Sequence, residues 1–167
     1  MDSPKIICNS SPLINLANIE QLGLIEPLYG KILIPSTVYQ EVVGQKRGRD
    51  RAEQIEHLIK RGIIEVKAVR NSHLIEAFRK DLDAGESEVL ALALEIKADL
   101  VILDEIDARR IADLHNIRKT GFVGILIKAK HQHLLKTVKD ALDLAISKGF
   151  WIDNELYQHI LAQLGER

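Results

Sequence analysis

The chain has 167 residues, about the length of one domain on the usual scale of roughly 150 residues per domain, so we expect a single domain over residues 1–167. Lysine and arginine (23) nearly balance aspartate and glutamate (24), and the net charge of −1 excludes a global attraction to polyanions. With 46% hydrophobic residues but only three Phe, three Tyr and one Trp, the composition predicts an aliphatic core and leaves no stacking platform of the kind that reads single-stranded bases.

Short β-branched and aliphatic runs alternate with longer stretches of helical period, a pattern typical of βαβ units. The predicted strands cover residues 5–8, 31–34, 63–66 and 99–103, with a weaker fifth strand at 116–120. The predicted helices cover residues 12–29 with a break near Pro27, 36–46, 50–61, 72–81, 85–97, 105–114, 122–133, 136–148 and 153–164. The sequence therefore predicts an α/β fold in which a parallel sheet of four to five strands has helices on both faces.

The cellular compartment is indicated by the cysteine content and by the apolar runs. Cys8 is the only cysteine, so the chain has no intramolecular disulfide. The first residues lack the basic start and long apolar stretch of a secretory signal, and no apolar run approaches the roughly 18 residues that span a bilayer. We therefore expect a soluble, cytoplasmic protein without membrane association.

Polar residues follow two of the predicted strands. In an open parallel sheet the ligand crevice lies beyond the carboxyl ends of the strands, where the strand order reverses. Asn9 follows the first strand and Asp104 the fourth, so both face one crevice if these strands are neighbours. The helix-borne Glu41 and Glu86 would add two carboxylates. Clustered carboxylates need a cation, and hard oxygen ligands suit Mg²⁺ or Mn²⁺, which activate water and neutralise charge on a phosphodiester.

Each of these acids also has a purely structural explanation. Asp83 and Glu86 have the spacing of a capping box at the start of a helix. Asp104 is equally suited to be the N-cap of the helix that follows it, with Asp107 complementing the helix dipole. Glu41 lies too deep in its helix to cap it, and it is either a solvent-exposed flank residue or points into the crevice. The sequence alone leaves both explanations open.

The ordered set of motifs resembles the PIN-domain family of metal-dependent nucleases, and is most similar to its VapC-like prokaryotic branch, which includes the toxins of toxin–antitoxin pairs. The segments that carry the resemblance are 6–19, 34–42, 82–95, 99–112, 120–130 and 149–161. The resemblance implies one PIN-like domain with a C-terminal helical tail at 150–164. It also implies hydrolysis of RNA phosphodiesters that leaves 5′-phosphate and 3′-hydroxyl ends.

The acidic positions of that family can be carried over one at a time. The resemblance assigns the ligands of Mg²⁺ or Mn²⁺ to Asn9, Glu41, Glu86, Asp104 and, as a fifth, Asp107. Among them, Glu41, Glu86 and Asp104 are the implied catalytic residues. Asn9 stands where the family has an acid, and Glu86 stands where many members have Asp.

Three further residues are implied to bind substrate or to assist the metal. Ser10 and Ser11 resemble the small hydroxyl residues that assist the metal site in the family, although Ser11 before Pro12 is equally a predicted helix N-cap. Arg109, one turn after Asp104, either orients a substrate phosphate or pairs with the carboxylates.

The resulting hypothesis is a metal-dependent endoribonuclease, the toxin of a toxin–antitoxin pair, with RNA and a small antitoxin protein as partners and a homodimer as its assembly. The neutral Asn9 motivates the alternative, a catalytically weak or inactive PIN-fold module that binds a partner protein or RNA. A nucleotide- or phosphate-binding protein of doubly wound fold is a third class, but the chain has no Gly-rich phosphate loop.

Two features outside the pocket have a surface or packing interpretation. Phe150 and Trp151 are expected to pack against the C-terminal helix rather than to stack on a substrate. A basic cluster either meets RNA phosphates or forms a solvated turn; its members are Lys46, Arg47, Arg49 and Arg51.

Overall fold

A five-stranded parallel sheet forms the centre of the computed structural model, which describes residues 3–44 and 49–167. Its strands are β1 (Ile6–Cys8), β2 (Ile32–Ile34), β3 (Ile64–Val66), β4 (Leu100–Ile102) and β5 (Lys119–Thr120). The strand order is β3-β2-β1-β4-β5, so the direction of winding reverses between β1 and β4. The predicted α/β class is confirmed, and so is the adjacency of the first and fourth strands.

Helices surround this sheet. Those of the described residues are α1 (Ser10–Asn18), α2 (Ile25–Tyr29), α3 (Ser36–Val43), α4 (Arg49–Lys60), α5 (Ser72–Phe78), α6 (Ala84–Ile96), α7 (Ile106–Leu114), α8 (Phe122–His131), α9 (Val138–Ser147) and α10 (Asn154–Leu164). A 3-10 turn covers Leu22–Leu24. None of the helices in this described part of the chain has the length and apolarity that crossing a membrane requires.

The core lies between the sheet and α6. Every residue of β1 and β2 is buried, and so is the α6 run from Val89 to Ala93. A helix that is apolar on nearly all sides must lie inside the protein, and α6 packs against both β1 and β4. The start of α6 is thereby fixed beside the carboxyl ends of these two strands.

The helical stretch predicted for residues 12–29 is broken earlier than predicted. Helix α1 ends at Asn18, and the 3-10 turn begins at Leu22. Glu20 adopts a left-handed φ of 57°, and the Gln21 amide donates to the Leu16 carbonyl at 2.8 Å, which is the helix-ending Schellman arrangement. Pro27 lies in the first turn of α2, where backbone N–H groups have no acceptor within the helix, so its missing N–H costs no helical hydrogen bond. The predicted break near Pro27 is therefore wrong.

Helix α1 also begins earlier than predicted. Asn9 occupies its N-cap position and Ser10 is its first helical residue, so the prediction of Ser11 as the N-cap is wrong. Pro12 still lies in the first turn, where the four leading N–H groups need no helical partner.

The charged segment after α3 is only partly described. Helix α3 ends at Val43, and the last two residues of the predicted helix 36–46 lie outside the described residues. Lys46 and Arg47 of the basic cluster also lie outside them, while Arg49 and Arg51 belong to α4.

The aromatic pair before α10 divides between core and solvent. Phe150 packs edge-on against Phe122, with ring centroids 5.0 Å apart. Trp151 is 80% exposed, so the prediction that it packs against the C-terminal helix is wrong. Phe150 fills the space beside Phe122, and the indole is left in solvent.

Candidate acidic site at the carboxyl edge of the sheet

The candidate site lies where the chain leaves β1 and β4. These strands are paired in register, with Cys8 beside Ile102, and the Asn9 amide continues the ladder by donating to the Ile102 carbonyl at 2.9 Å. Asn9 and Asp104 therefore emerge side by side at the carboxyl edge, at the point where the strand order reverses. This is the position at which open α/β sheets bind ligands.

Asn9 is buried, and only one of the two polar atoms of its side chain has a hydrogen-bond partner among the described residues. Its side chain is 3% exposed, and its Nδ2 donates to Glu105 Oε2 at 3.1 Å. Its Oδ1 is buried and has no hydrogen-bond partner within residues 3–44 and 49–167. Because a buried carbonyl oxygen without a partner is costly, this atom is suited to bind a donor or a cation.

Asp104 presents a second uncommitted oxygen. Its Oδ1 accepts from the Phe122 amide at 2.9 Å, so the carboxylate caps α8 and not α7, whose N-cap position belongs to Glu105. Its Oδ2 is buried without a hydrogen-bond partner among the residues described. A Cβ on Gly121 would collide with Asp104 Oδ1, so a glycine is needed there for the close approach.

Burial sets the protonation behaviour of Asp104. Removal from water raises the pKa of its carboxyl above the ordinary 3.8, and the neighbouring Glu105 charge adds to the increase. The hydrogen bond from Phe122 and the Arg109 charge act in the opposite direction but do not cancel it. A cation bound beside Asp104 would therefore offset the cost of burying its negative charge next to Glu105.

Glu41 points toward this region from α3. Its Oε2 accepts from the Ser10 hydroxyl at 2.5 Å, which ties α3 to the start of α1. A Cβ on Gly85 would lie 2.6 Å from Glu41 Oε1, so the missing side chain at the start of α6 leaves room for the carboxylate. Of the two interpretations that the sequence left open, the structure favours the one in which Glu41 points inward.

Glu86 forms the capping box. The Asp83 carboxylate accepts from the Glu86 amide at 2.8 Å, and the Glu86 carboxylate accepts from the Asp83 amide at 3.2 Å. Partial burial is the main cause that raises the pKa of Glu86, and the charges of Asp83 and Glu105 raise it further. Glu86 thus caps the start of α6, and the effect of the Glu105 charge on its pKa shows that it also belongs to the electrostatic surroundings of the pocket.

Glu105 is the residue that the sequence reasoning missed. It accepts from Asn9 at 3.1 Å and from the Ser11 hydroxyl at 2.6 Å, so it joins the ends of β1 and β4. A signal was present, because Asp104 and Glu105 form an acidic pair directly after a buried strand. Two small polar residues at the end of the other strand, Asn9 and Ser11, supply the matching donors.

Asp107 is not brought into the pocket. It forms an exposed ion pair with Arg110 at 3.2 Å, and the side chains are 63% and 67% exposed. Arg109 by contrast turns inward, and its Nη1 donates to the Leu103 carbonyl at 2.9 Å. The structure therefore groups Arg109 with Asp104 and leaves Asp107 on the outer surface of α7.

The pocket is rich in oxygen but is not a preformed cluster of charged ligands. Across residues 3–44 and 49–167, no three side chains of the His, Cys, Asp and Glu types come together as a metal-binding group. What the site offers is a pair of buried oxygens without partners, Asn9 Oδ1 and Asp104 Oδ2, with several carboxylates around them. Such hard oxygen donors fit Mg²⁺ or Mn²⁺ and do not fit a soft metal.

The fold and this pocket together define an α/β protein with an oxygen-lined site at its topological switch point. A family model for the PIN domain matches residues 5–166, nearly the whole chain, and the chain belongs to the PIN-domain family. PIN domains form a nuclease superfamily whose members generally depend on divalent metals. No curated protein gives a significant match.

Proposed function

We propose that the protein is a Mg²⁺- or Mn²⁺-dependent endoribonuclease that leaves 5′-phosphate and 3′-hydroxyl ends. The observation that carries the proposal is the pair of buried, unpartnered oxygens of Asn9 and Asp104, one on each side of the switch point of a PIN domain. Polar atoms of this kind are normally satisfied in proteins, so the presence of both at the ligand-binding edge of the sheet supports a bound cation.

Asn9 and Asp104 would hold the metal through their oxygens that lack partners among the described residues, and Glu41, Glu86 and Glu105 would add negative charge around it. When bound, the divalent ion would activate water and neutralise charge that develops on the phosphate. Glu41, Glu86 and Asp104 remain the proposed catalytic residues. Asp107, with its exposed ion pair, is the weakest of the ligands that the resemblance implied.

Neighbouring residues would orient this set. Ser10 holds one oxygen of Glu41, and Ser11 holds one oxygen of Glu105. Arg109 is anchored on the Leu103 carbonyl, and its charge lowers the pKa of Asp104. Because a guanidinium has five donors and the residues described here engage only one of them, Arg109 retains donors for a substrate phosphate.

The alternative proposal is a catalytically weak or inactive PIN-fold module that binds RNA or a partner protein. Asn9 favours it, because a neutral amide contributes no charge to offset a divalent cation. The hydrogen bonds that already occupy Glu41, Glu86 and Glu105 favour it as well, because a metal would have to displace or share them.

The biological setting that we propose follows the VapC-like branch of the family: a cytoplasmic toxin that forms a homodimer and is neutralised by a small antitoxin protein. The reduced, buried thiol of Cys8 fits a reducing compartment. A check of neighbouring genes for a small antitoxin would test this setting separately from the chemistry.

A cleavage assay on structured RNA with and without Mn²⁺ tests the proposed activity. We expect cleavage by the wild type only with the metal, and a loss of most activity in Asp104→Asn. Asp81→Asn is the matched control, because Asp81 is exposed and its only hydrogen bond in the described chain is made by its backbone. Equal cleavage by Asp104→Asn and Asp81→Asn would remove Asp104 from the site, and an inert wild type would favour the non-catalytic module.

A further inference from the structure

A cavity lies at the opposite end of β1 from the candidate acidic site. Its volume is about 550 Å³, within the roughly 300 to 1,000 Å³ typical of small-molecule pockets. Lys5, which directly precedes β1, and Lys31, which directly precedes β2, both line it. Asn9 and Asp104 lie beyond the other ends of their strands and do not line it. The cavity is therefore separate from the candidate acidic site.

The apolar part of the cavity wall is mostly aliphatic. Ile6 of β1 and Leu33 of β2 line the cavity, and the last residue of α6, Ile96, also lines it. Removing apolar surface from water is favourable, and the gain grows with the area that is covered. This wall is therefore suited to bind the apolar body of a ligand.

Three lysines give the cavity a positive charge. Lys5, Lys31 and Lys67 line it. Among the described residues, Glu65 is the only acid that lines it. The described lining thus has a net charge of +2, whereas the whole chain has −1. A cleft with one sign of charge and low-dielectric walls concentrates ions of the opposite sign, so this cavity attracts anions.

The lysine side chains retain donors for an anion. Lys67 is exposed, and its side chain makes no hydrogen bond or ion pair within residues 3–44 and 49–167. Lys31 Nζ lies 3.4 Å from Glu65 Oε2, and both of these side chains are half exposed. Lys5 Nζ donates to the Ile96 carbonyl at 3.2 Å. Because each ammonium has three donors, all three lysines can still bind a ligand.

Tyr29 adds a neutral donor to this cavity. It is one of the lining residues, and Lys128 Nζ lies over its ring, 4.3 Å from the centroid. Burial is the main cause that raises the pKa of Tyr29 to about 12, so its hydroxyl stays protonated at neutral pH. No group of the described chain accepts a hydrogen bond from this hydroxyl. Its proton is therefore available to an anionic ligand.

We propose that this cavity binds a small amphipathic anion, a molecule with an apolar body and one carboxylate or phosphate group. The aliphatic wall would hold the body, and the lysines with Tyr29 would hold the anionic group. Fatty acids and nucleotides both have this chemistry. The proposal does not depend on the nuclease function, because no residue of the candidate acidic site lines the cavity.

Displacement of a fluorescent dye tests the proposal. Anilinonaphthalene sulfonate (ANS) is itself an amphipathic anion, and its emission rises in apolar surroundings. The full chain is titrated with ANS at pH 7 and physiological salt, and the bound dye is displaced by octanoate or by AMP, with octanol and adenosine as their neutral counterparts. We expect an anion to bind roughly tenfold or more tightly than its neutral counterpart. Displacement by octanoate identifies a fatty-acid-like ligand, and displacement by AMP a nucleotide-like one.

Variants connect this binding to the cavity. Lys67→Glu should weaken binding of ANS and of the displacing anion roughly tenfold or more, because a repulsion replaces a donor and an attraction. Lys148→Glu is the matched control with the same change of charge. Lys148 is exposed and does not line the cavity, so its replacement should change binding less than about twofold. Glu65→Gln should tighten binding roughly two- to fivefold, an effect that a loosened fold would not produce.

Several results would overturn the proposal. Absence of ANS binding, or equal effects of Lys67→Glu and Lys148→Glu, would show that the cavity is not an anion site. Octanol and adenosine that displace the dye as well as their anionic counterparts would show an apolar patch only. ANS binding that weakens as the protein concentration rises would show that a second copy of the chain occupies the cavity. The proposed nuclease function stands or falls separately, by the cleavage assay.

Discussion

Replacing Asn9 with Asp would place a carboxylate at the end of β1, where the resemblance to the PIN family implies an acid, and its cost can be worked out from the structure. Asn9 Nδ2 lies 3.1 Å from Glu105 Oε2, so Asn9→Asp exchanges a hydrogen bond for two facing carboxylate oxygens. At this separation the repulsion between unit charges is about 1 kcal/mol in water and about 5 kcal/mol at an effective dielectric constant of 20. We therefore expect the metal-free variant to lose roughly 1 to 5 kcal/mol of unfolding free energy at pH 7.

Metal should reverse this loss. A cation that binds only the folded state adds about 2.7 kcal/mol of stability at a concentration 100 times its dissociation constant. Because Asn9→Asp adds a negative charge to the site, Mn²⁺ should stabilise the variant more than the wild type, and calorimetry should show tighter binding. RNA cleavage should rise in parallel.

Urea unfolding at several pH values, with and without Mn²⁺, measures both effects. Facing carboxylates raise each other's pKa in the folded state, so the loss should be complete at neutral pH and should fade as acid protonates one of them. Asn71→Asp is the matched control, because Asn71 is an exposed N-cap and Asp caps a helix equally well. The reasoning is refuted if Asn9→Asp behaves like Asn71→Asp both in metal-free stability and in its response to Mn²⁺.

Three further substitutions test the same pocket. Asp104→Asn should stabilise the metal-free protein at pH 7, since burial raises the pKa of this carboxyl, and the gain measured by urea unfolding should shrink as pH falls toward 3.8. Glu86→Gln keeps a residue suited to the capping box, so unfolding free energy should change by less than about 0.5 kcal/mol, while cleavage falls at least tenfold if the charge acts in the site. Gly85→Ala should displace Glu41 and lower cleavage with little loss of stability, whereas Gly23→Ala, with nothing within 4 Å of the added carbon, should leave cleavage unchanged.

The parts of the fold that the sequence predicts are those fixed by hydrophobic pattern and by topology. Short apolar runs between helical stretches were enough to predict a parallel sheet, and the rule that ligands bind beyond the strand ends placed Asn9 and Asp104 together. The capping box at Asp83 and Glu86 was also visible, because it depends only on residues three apart.

The features that sequence reasoning missed depend on distant partners. From its neighbours in the sequence alone, Glu105 is predicted only to lie at the start of a helix. The pairing of β1 with β4 is what brings Asn9 and Ser11 within hydrogen-bond distance of it. The exposure of Trp151 was equally hidden, because Phe150 and Trp151 are both aromatic and only packing against Phe122 decides which one is buried.

The central claim is that a divalent cation completes the pair of buried oxygens at Asn9 and Asp104. Crystals of the protein soaked in Mn²⁺ and measured for anomalous scattering test it most directly. The account predicts an anomalous peak about 2.1 Å, the bond length typical of Mg²⁺, from both Asn9 Oδ1 and Asp104 Oδ2. A site without a peak at saturating Mn²⁺, or a peak bound only by surface carboxylates such as Asp107, would contradict it.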